Sequence, residues 1–545
     1  MDKLYENVYD SLDRRDYAAA RAHIEKLAIL DPQEAAYLMV SLYIEQGDVQ
    51  AASAAWEKLH DLLPTDFYTQ FLHARILFMD GRYVSAYREL LKIQLPVDKQ
   101  QGYGEKISNL LGQCCRILGK NKEAAEAYRK AAATAMETDL QALEYSNYLF
   151  NLHYGGGHSA DFLRQAARGF SDVLGKRNFF AHPSGRRGKG PWRIGYLSPD
   201  VRRHVMLCFC YDLLTAYDHE KFAVYVYMLG PEDEYSQKVK SQVTGWRNLR
   251  GLPSQEMAKM IYADEIDILV DLAGHTKGNG LPVMAYKPAP IQVSGIGYFA
   301  STGLPVVDYF LGDVYLDDEQ TQREFVEKLV ILPYSHFCYR PLRSAEVRAP
   351  AFRRKGYVTF GSFNNFAKVT DQVLAIWCKI LMAVPDSHLL LKAAVFDGGE
   401  AEEYTRKRLA HAGLPMERVE CRGLSEDYLL EYGDMDIALD SFPYPGGGTS
   451  CDALYMGRPL ITLAGRSHGE RFGFSLLMNL GLGELVAHTE TEYIERAVML
   501  AGDSELLQML QTNLRMMMQR SPLMDRKLYL QSMENFYRNI MEERQ

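Results

Sequence analysis

The sequence predicts an α + α/β chain, with helical repeats first and then two lobes in which strands alternate with helices. Three observations predict it. Glycines at 47, 81 and 119 recur at spacings of 34 and 38 between apolar helical segments. Beyond residue 191 the apolar pattern breaks into short strand-like runs separated by helical stretches. Finally, a Gly-rich turn, Gly446-Gly-Gly-Thr-Ser450, joins a short apolar run to a helical one.

Composition sets the outer bounds. A chain of 545 residues has room for about three domains. Apolar content of 47% and charged content of 24% are ordinary for globular protein. A net charge of −9 lacks the basic footprint of a nucleic-acid binder. The eight cysteines include no CxxC pair, which argues against a zinc or dithiol site and fits a reducing compartment. The start, Met1-Asp-Lys-Leu-Tyr-Glu6, has no basic-then-apolar signal region, and no apolar run is long enough to cross a bilayer. The expectation is a cytoplasmic protein with no membrane or nucleic-acid partner.

Residues 1–155 read as the repeat segment. Gln46-Gly-Asp-Val49, Asp80-Gly-Arg-Tyr83 and Leu118-Gly-Lys-Asn121 align, and Arg15-Asp-Tyr17 marks a degenerate earlier copy. Pro32 and Pro64 are expected to close their units. Helix–Gly turn–helix at about 34 residues is the tetratricopeptide pattern. Stacked units share one core and offer a concave surface. That surface would bind a protein partner, or it would brace the next domain or pair two copies. A linker over 156–191, with the basic stretch Pro183-Ser-Gly-Arg-Arg-Gly-Lys-Gly-Pro191, is the expected boundary.

Residues 192–345 read as the first α/β lobe, with strands at 192–197, 222–229, 266–272 and 309–312. Strands alternating with helices argue for a parallel sheet, where ligands bind beyond the carboxyl ends of strands. His204 and His275 stand after two such ends. Either imidazole would serve as a general base near neutral pH, or as a hydrogen-bonded structural residue. Gly297-Tyr298 opens a loop that would line a cleft.

Residues 346–545 read as the second lobe, with strands at 357–360, 388–392, 419–421, 436–440 and 460–463. Lys368 stands on a strand-to-helix loop, where a cation can meet a phosphate or simply face water. The turn Gly446–Ser450 leads into the helical run from Ala453. Glycine permits close approach of a ligand, and a helix start presents free N–H groups and partial positive charge. Together these suit a phosphate or diphosphate, and the same residues would equally make a plain helix cap. Lysine and helix start would converge on a departing diphosphate without a metal. Asp434-Met-Asp436 sits at the entry end of a strand, away from the ligand side, so no metal site is expected there.

These motifs together resemble the SPINDLY/O-GlcNAc transferase family of tetratricopeptide glycosyltransferases. The carrying stretches are Gly195-Tyr-Leu-Ser-Pro-Asp200 with His204, Val270-Asp-Leu-Ala-Gly-His-Thr276, Pro288-Ala-Pro-Ile-Gln-Val293 and Phe363-Asn-Asn-Phe-Ala-Lys368. Asp436-Ile-Ala-Leu-Asp-Ser-Phe-Pro-Tyr444 and Asp452-Ala-Leu-Tyr-Met-Gly457 complete the series. The resemblance implies two Rossmann-like lobes in a GT-B arrangement, usually metal-independent. It implies inverting transfer of a sugar from a nucleotide diphosphate to Ser or Thr of a protein, with UDP-GlcNAc the leading donor. GDP-fucose as donor, an Asn acceptor, or a catalytically weak scaffold are the alternatives. By position, His204 matches the family's active-site histidine and Lys368 its diphosphate-binding lysine. Asn365, Gly446, Gly447, Gly448, Thr449 and Ser450 fall in the donor site, and Asp452 matches the carboxylate that holds the ribose. His275, Tyr298 and Tyr428 are acceptor or cleft candidates. The chain departs from relatives at Gly447-Gly448-Thr449, where some carry His-Thr-Thr, at Tyr428, where many carry His, and at Ser425, where animal enzymes have lysine. No cofactor is expected; the partners implied are a nucleotide sugar and a protein acceptor, with a homodimer left open.

Overall fold

The structure, a computed structural model, describes residues 2–182 and 190–543. Most of the basic stretch expected as a linker, 183–189, lies outside them. The chain forms two compact units, Met1–Met136 with Val395–Arg408, and Glu137–Ala394 with Leu409–Gln545.

The first unit is built of helical hairpins. They pair α1 (Asp2–Asp13) with α2 (Tyr17–Leu27), α3 (Pro32–Gln46) with α4 (Val49–Leu62), α5 (Phe67–Met79) with α6 (Tyr83–Lys92), and α7 (Gln100–Ile117) with α8 (Asn121–Thr134). The turns of the last three pairs place Gly47, Gly81 and Gly119 at φ of 75°, 73° and 72°, the left-handed region that glycine enters without steric cost. The degenerate copy folds the same way, with Arg15 at φ 56° in the glycine's place. Pro32 does not close a unit; it is the first residue of α3, behind an Asp31 cap, where a missing N–H costs nothing. Helix faces meet through apolar clusters such as Tyr37, Val40, Leu59, Leu72 and Ile76. Helices α7 and α8 approach closely because Gly112 leaves room for Tyr128, whose ring would lie 2.9 Å from a Cβ there.

The second unit opens with α9 (Thr138–Gly155) and α10 (Ala160–Leu174). The sequence reading placed α9 with the repeats. Its buried face is taken instead by the lobe that follows, with Ser146 Oγ 2.9 Å from His275 Nδ1 and Phe150 packed on Tyr298 and Phe299.

The first lobe is a seven-stranded sheet of β1 (Trp192–Ser198), β2 (Phe222–Met228), β3 (Gly245–Asn248), β4 (Ile268–Asp271), β5 (Ile291–Ser294), β6 (Tyr309–Asp313) and β7 (Lys328–Leu332). Their order is 3-2-1-4-5-6-7, with every neighbour parallel. Helix α11 (Val205–Thr215) follows β1. The second lobe is a six-stranded sheet of β8 (Thr359–Ser362), β9 (His388–Lys392), β10 (Val419–Arg422), β11 (Ile437–Leu439), β12 (Leu460–Leu463) and β13 (Val486–Ala487). Its order, 10-9-8-11-12-13, repeats the 3-2-1-4-5-6 plan, again all parallel. These are two Rossmann-like lobes in a GT-B arrangement. In such sheets the ligand crevice opens where strand order reverses, here between β1 and β4 in one lobe and β8 and β11 in the other.

Buried polar contacts fix one lobe against the other. Asp313, at the end of β6, accepts from Ser475 Oγ at 2.8 Å, and Asp317 meets His468 Nδ1 at 2.9 Å. The last helix, Arg526–Glu542, returns to the first lobe, where Tyr537 and Tyr196 hydroxyls meet at 3.0 Å. Among the described residues no helix is long and apolar enough to cross a membrane.

Filling the α7–α8 contact should loosen the first unit. Gly112→Val is expected to destabilise it by about 1–3 kcal/mol, read as faster hydrogen exchange in α7 and α8. Unchanged exchange would show that Tyr128 has room to move aside.

Candidate functional site

The residues singled out in the sequence fall mostly at the two switch points. In the second lobe the chain leaving β8 runs through Asn364 and Asn365 into a single 3-10 turn, Phe366–Lys368. Asn365 caps that turn, its Oδ1 accepting from Ala367 N at 3.1 Å. Asn365 thus shapes the loop that presents Lys368. The Lys368 ammonium donates to Pro445 O at 2.8 Å and lies 3.8 Å from the centre of the Tyr444 ring. Burial holds its pKa below the ordinary lysine value, and the nearby Asp440 carboxylate works in the opposite sense.

The chain leaving β11 turns on Asp440, which is fully buried. Its carboxylate accepts from Gly446 N at 2.7 Å, Thr462 Oγ1 at 3.0 Å and Asn364 Nδ2 at 3.3 Å. Burial raises its pKa and those donors, with Lys368, oppose the rise. Gly446 is a steric necessity, since a Cβ there would lie 2.7 Å from Thr449 Oγ1 and 2.8 Å from Asn364 Oδ1.

The helix Gly448–Tyr455 then begins with Gly447 as its N-cap and no side chain bonded to its first turn. The two sequence-level alternatives for this turn therefore separate. Thr449 and Ser450 do not cap the helix; Thr449 Oγ1 donates instead to Asn364 Oδ1. The free N–H groups and positive end of the helix remain for an anion. A Cβ at Gly447 would meet nothing within 4 Å, so the space beside this residue is open.

Asp452 lies one turn further along. Its Oδ1 accepts from Tyr339 at 2.5 Å and its Oδ2 from Tyr428 at 3.1 Å. Burial lifts its carboxyl to about 6 against those two hydroxyls. Each oxygen keeps a second lone pair for a ligand hydroxyl.

Across the crevice, His204 is the N-cap of α11, with Nδ1 accepting from Met206 N at 3.3 Å. Burial lowers its pKa, while Asp200 raises it and Arg202 lowers it further; the ring is neutral near pH 7. The next residue, Val205, would lie 3.6 Å through its Cβ from a side chain at Gly448. The first turn of α11 and the anion-binding turn therefore face each other at contact distance.

His275 and Tyr298 are not brought into this crevice. His275 is 2% exposed, with Nδ1 on Ser146 Oγ and Nε2 on Thr302 O at 3.0 Å. A ring that donates from Nε2 to a carbonyl must accept at Nδ1, so both nitrogens are spent, and burial lowers its pKa to about 3. It is a structural histidine that docks α9 onto the first lobe, correcting its expected role as a cleft residue. Tyr298, also 2% exposed, is packed among His275, Phe150 and Phe299, and its place in the cleft is corrected likewise. Of the cleft candidates only Tyr428 stands at the site.

Sequence reading missed Asn364, Asp440, Tyr339 and Tyr444 as site residues. Asn364 and Asp440 were within quoted motifs, and their role was visible only as a polar residue closing an apolar strand. Tyr444 closes one of those motifs too, but its contact with Lys368, 76 positions away, carries no local signal, and neither does that of Tyr339 with Asp452, 113 positions away. The Asp434-Met-Asp436 pair is consumed structurally. Asp436 accepts from Phe352 N and Thr359 N at the entry to β11, and Asp434 pairs with Arg422 and Arg354.

Fold and site together define a two-lobed transferase scaffold with a cation and a helix start aimed at an anionic group. The model of glycosyl transferase family 41 matches residues 169–340 and 353–533. The chain belongs to that family. It is 38% identical over 406 residues to a Petunia hybrida protein named probable UDP-N-acetylglucosamine–peptide N-acetylglucosaminyltransferase SPINDLY, covering 72% of this chain and 44% of that protein. A rice protein of the same name is 41% identical over 359 residues, covering 64% and 39%. The chain thus spans under half the length of these relatives. A mutant of the Thermobaculum terrenum O-GlcNAc transferase superposes with a TM-score of 0.80 at 26% identity, covering 94% of this chain and 98% of that one.

The buried lysine makes anion binding pH-dependent. Lys368 would attract a diphosphate only when protonated, and burial lowers its pKa. Affinity for a nucleoside diphosphate should therefore fall as pH rises, beginning below the ordinary lysine value of about 10.4. Calorimetric titrations across pH 6.5 to 10 would read this; Lys368→Met should bind weakly with no such dependence. An equal slope in both proteins would remove Lys368 from the site.

Proposed function

We propose that this chain is an inverting glycosyltransferase that moves N-acetylglucosamine from UDP-GlcNAc to a Ser or Thr hydroxyl of a protein. The observation that carries the proposal is the convergence of Lys368, the uncapped start of the helix Gly448–Tyr455 and the neutral His204 on one crevice. The names of the SPINDLY relatives support the donor and the peptide acceptor.

In this reading the diphosphate sits on the N–H groups of Gly448–Ser450 and against Lys368. Asp452 takes the ribose hydroxyls, with Tyr339 and Tyr428 holding its oxygens in place. The acceptor hydroxyl attacks the anomeric carbon from the side opposite the diphosphate. The new C–O bond forms as the old one breaks, so configuration inverts. The bonding pair leaves on the diphosphate, where a fixed ammonium and helix start stabilise it without reorganisation. The hydroxyl proton passes to His204 as general base. Lys368 and the helix do the work that a divalent ion does in other transferases, so activity is independent of added metal. The acceptor is a protein engaged partly through the first unit, and the enzyme acts in the cytoplasm. Pairing of two chains through the helical hairpins belongs to the same reading.

A panel of UDP-GlcNAc, UDP-glucose, UDP-GalNAc and GDP-fucose with purified protein tests the donor. UDP-GlcNAc turnover should survive chelator, and Lys368→Ala and His204→Ala should each lower kcat by at least about 100-fold. Turnover of GDP-fucose alone would overturn the sugar assigned, and full activity of either variant would overturn its role.

A further inference from the structure

His204 cannot act as a base in the state the structure holds. Its Nδ1 accepts from Met206 N at 3.3 Å, so the proton of the neutral ring is on Nε2, the nitrogen left to face the crevice. A base needs the opposite tautomer, with the proton on Nδ1 and a lone pair on Nε2. The residue able to receive an Nδ1 proton is on the page: Asp200 Oδ2 lies 3.6 Å from His204 Nδ1. That distance is just beyond hydrogen-bond length, while the competing Met206 contact is itself long. Bringing Nδ1 a few tenths of an ångström nearer Oδ2 would exchange one partner for the other.

Asp200 is built for this. Its side chain is 12% exposed. Its backbone N–H is fixed on Ser198 Oγ at 3.0 Å, at the carboxyl end of β1, and its other oxygen takes Arg202 Nη2 at 3.4 Å. The loop is pinned again where Arg203 N donates to Asp233 Oδ2 at 2.7 Å. Oδ2 of Asp200 is left pointing at the histidine.

We propose that Asp200 is a positioning residue that selects the Nδ1–H tautomer of His204 and so exposes Nε2 as the base. When the acceptor hydroxyl gives its proton to Nε2, the ring becomes imidazolium, and the Asp200 carboxylate at Nδ1–H stabilises that charge. The charged groups acting on the ring are Asp200 and Arg202 on its own loop. Asp233 lies behind that loop, and the positive end of the helix Gly448–Tyr455 faces it from the second lobe. Asp200 is the carboxylate that favours the cation, and removing it lowers the pKa of the ring.

The kinetic part rests on the transferase reading; the spectroscopic part does not. Nitrogen-15 spectra of histidine-labelled protein, with the His204 signals assigned by their loss in His204→Asn, report tautomer and pKa without turnover. With Asp200 intact, His204 should show a measurable Nδ1–H fraction in exchange with the Nε2–H form that the Met206 contact holds. In Asp200→Asn it should shift to Nε2–H and titrate at lower pH. In assays, Asp200→Asn should lower kcat at least about tenfold, leave the donor KM unchanged and move the acid limb of the pH profile down. Asp200→Glu should restore part of the rate. Identical His204 tautomer and pKa in wild type and Asp200→Asn overturn the proposal, as does an unmoved acid limb at full rate. A protein that turns over no sugar would sink the transferase reading alone, and the spectra would still decide this one.

Discussion

The site depends on one buried contact made twice. Asp271 and Asp440 each end the strand at which their sheet reverses order, and both are fully buried. Asp271 accepts from Ala273 N, Gly274 N and Ser294 Oγ at 3.1, 2.8 and 2.7 Å. Asp440 accepts from Ser441 N, Gly446 N and Thr462 Oγ1 at 3.0, 2.7 and 3.0 Å. In both lobes the hydroxyl comes from the next strand over, at the equivalent register. A carboxylate without water must be fed by donors. The nearest donors are the N–H groups of the chain leaving the strand, so each turn folds back over its aspartate. Removing the carboxylate would leave those amides buried and unpaired.

The same scaffold device produces different chemistry because different residues follow it. After β11, the folded turn delivers Gly446 beside Asn364 and opens an uncapped helix. Asp440 also lies close enough to Lys368 to offset part of the cost of burying an ammonium. The lysine is thereby kept available as a cation beside an anion site, although burial alone would disfavour its charge. After β4, the turn delivers His275, and here the chain meets Ser146 of α9 and Thr302 O. One lobe follows its switch strand with an open turn and an uncapped helix start, and the other follows it with a residue that holds a helix. The first lobe contributes to the site from β1 instead, through the loop that carries His204.

The sequence conveyed the plan of the fold because its signals were local. Left-handed glycines, apolar runs of four to seven residues and the change of periodicity all act within one turn or strand. Strands β3 and β7 escaped notice because they lie at sheet edges and are largely uncovered, β13 has only two residues, and β5, though fully buried, is four residues long and follows Pro288-Ala-Pro290. In the site, Lys368, His204 and the glycine turn were legible as residue types at strand ends. The distinction between His204 and His275 was not. Both follow strands of the same sheet, and only packing by distant segments makes one a half-open cap and the other a sealed link. For the same reason α9 read as a repeat helix: its own apolar pattern does not say which neighbour covers it.

Asp452 shows how a largely buried carboxylate keeps acceptor capacity. Exposed to water it would be well solvated, and a ribose would have to displace that water. Buried with no donor it would be protonated and a poor acceptor. Two tyrosine hydroxyls, from two separate segments that both precede it in the chain, resolve the conflict. They supply two of the donors that a carboxylate needs, while each oxygen still has a lone pair to offer. Tyr339 is almost completely buried and Tyr428 is 36% exposed. Tyr339 therefore fixes the carboxylate from inside, and Tyr428 holds it from the solvent side. A tyrosine at this position donates its hydrogen bond to Asp452 and carries no titratable charge near neutral pH. Tyr428 thus serves Asp452 with its hydroxyl while its ring stays part of the exposed surface beside the carboxylate.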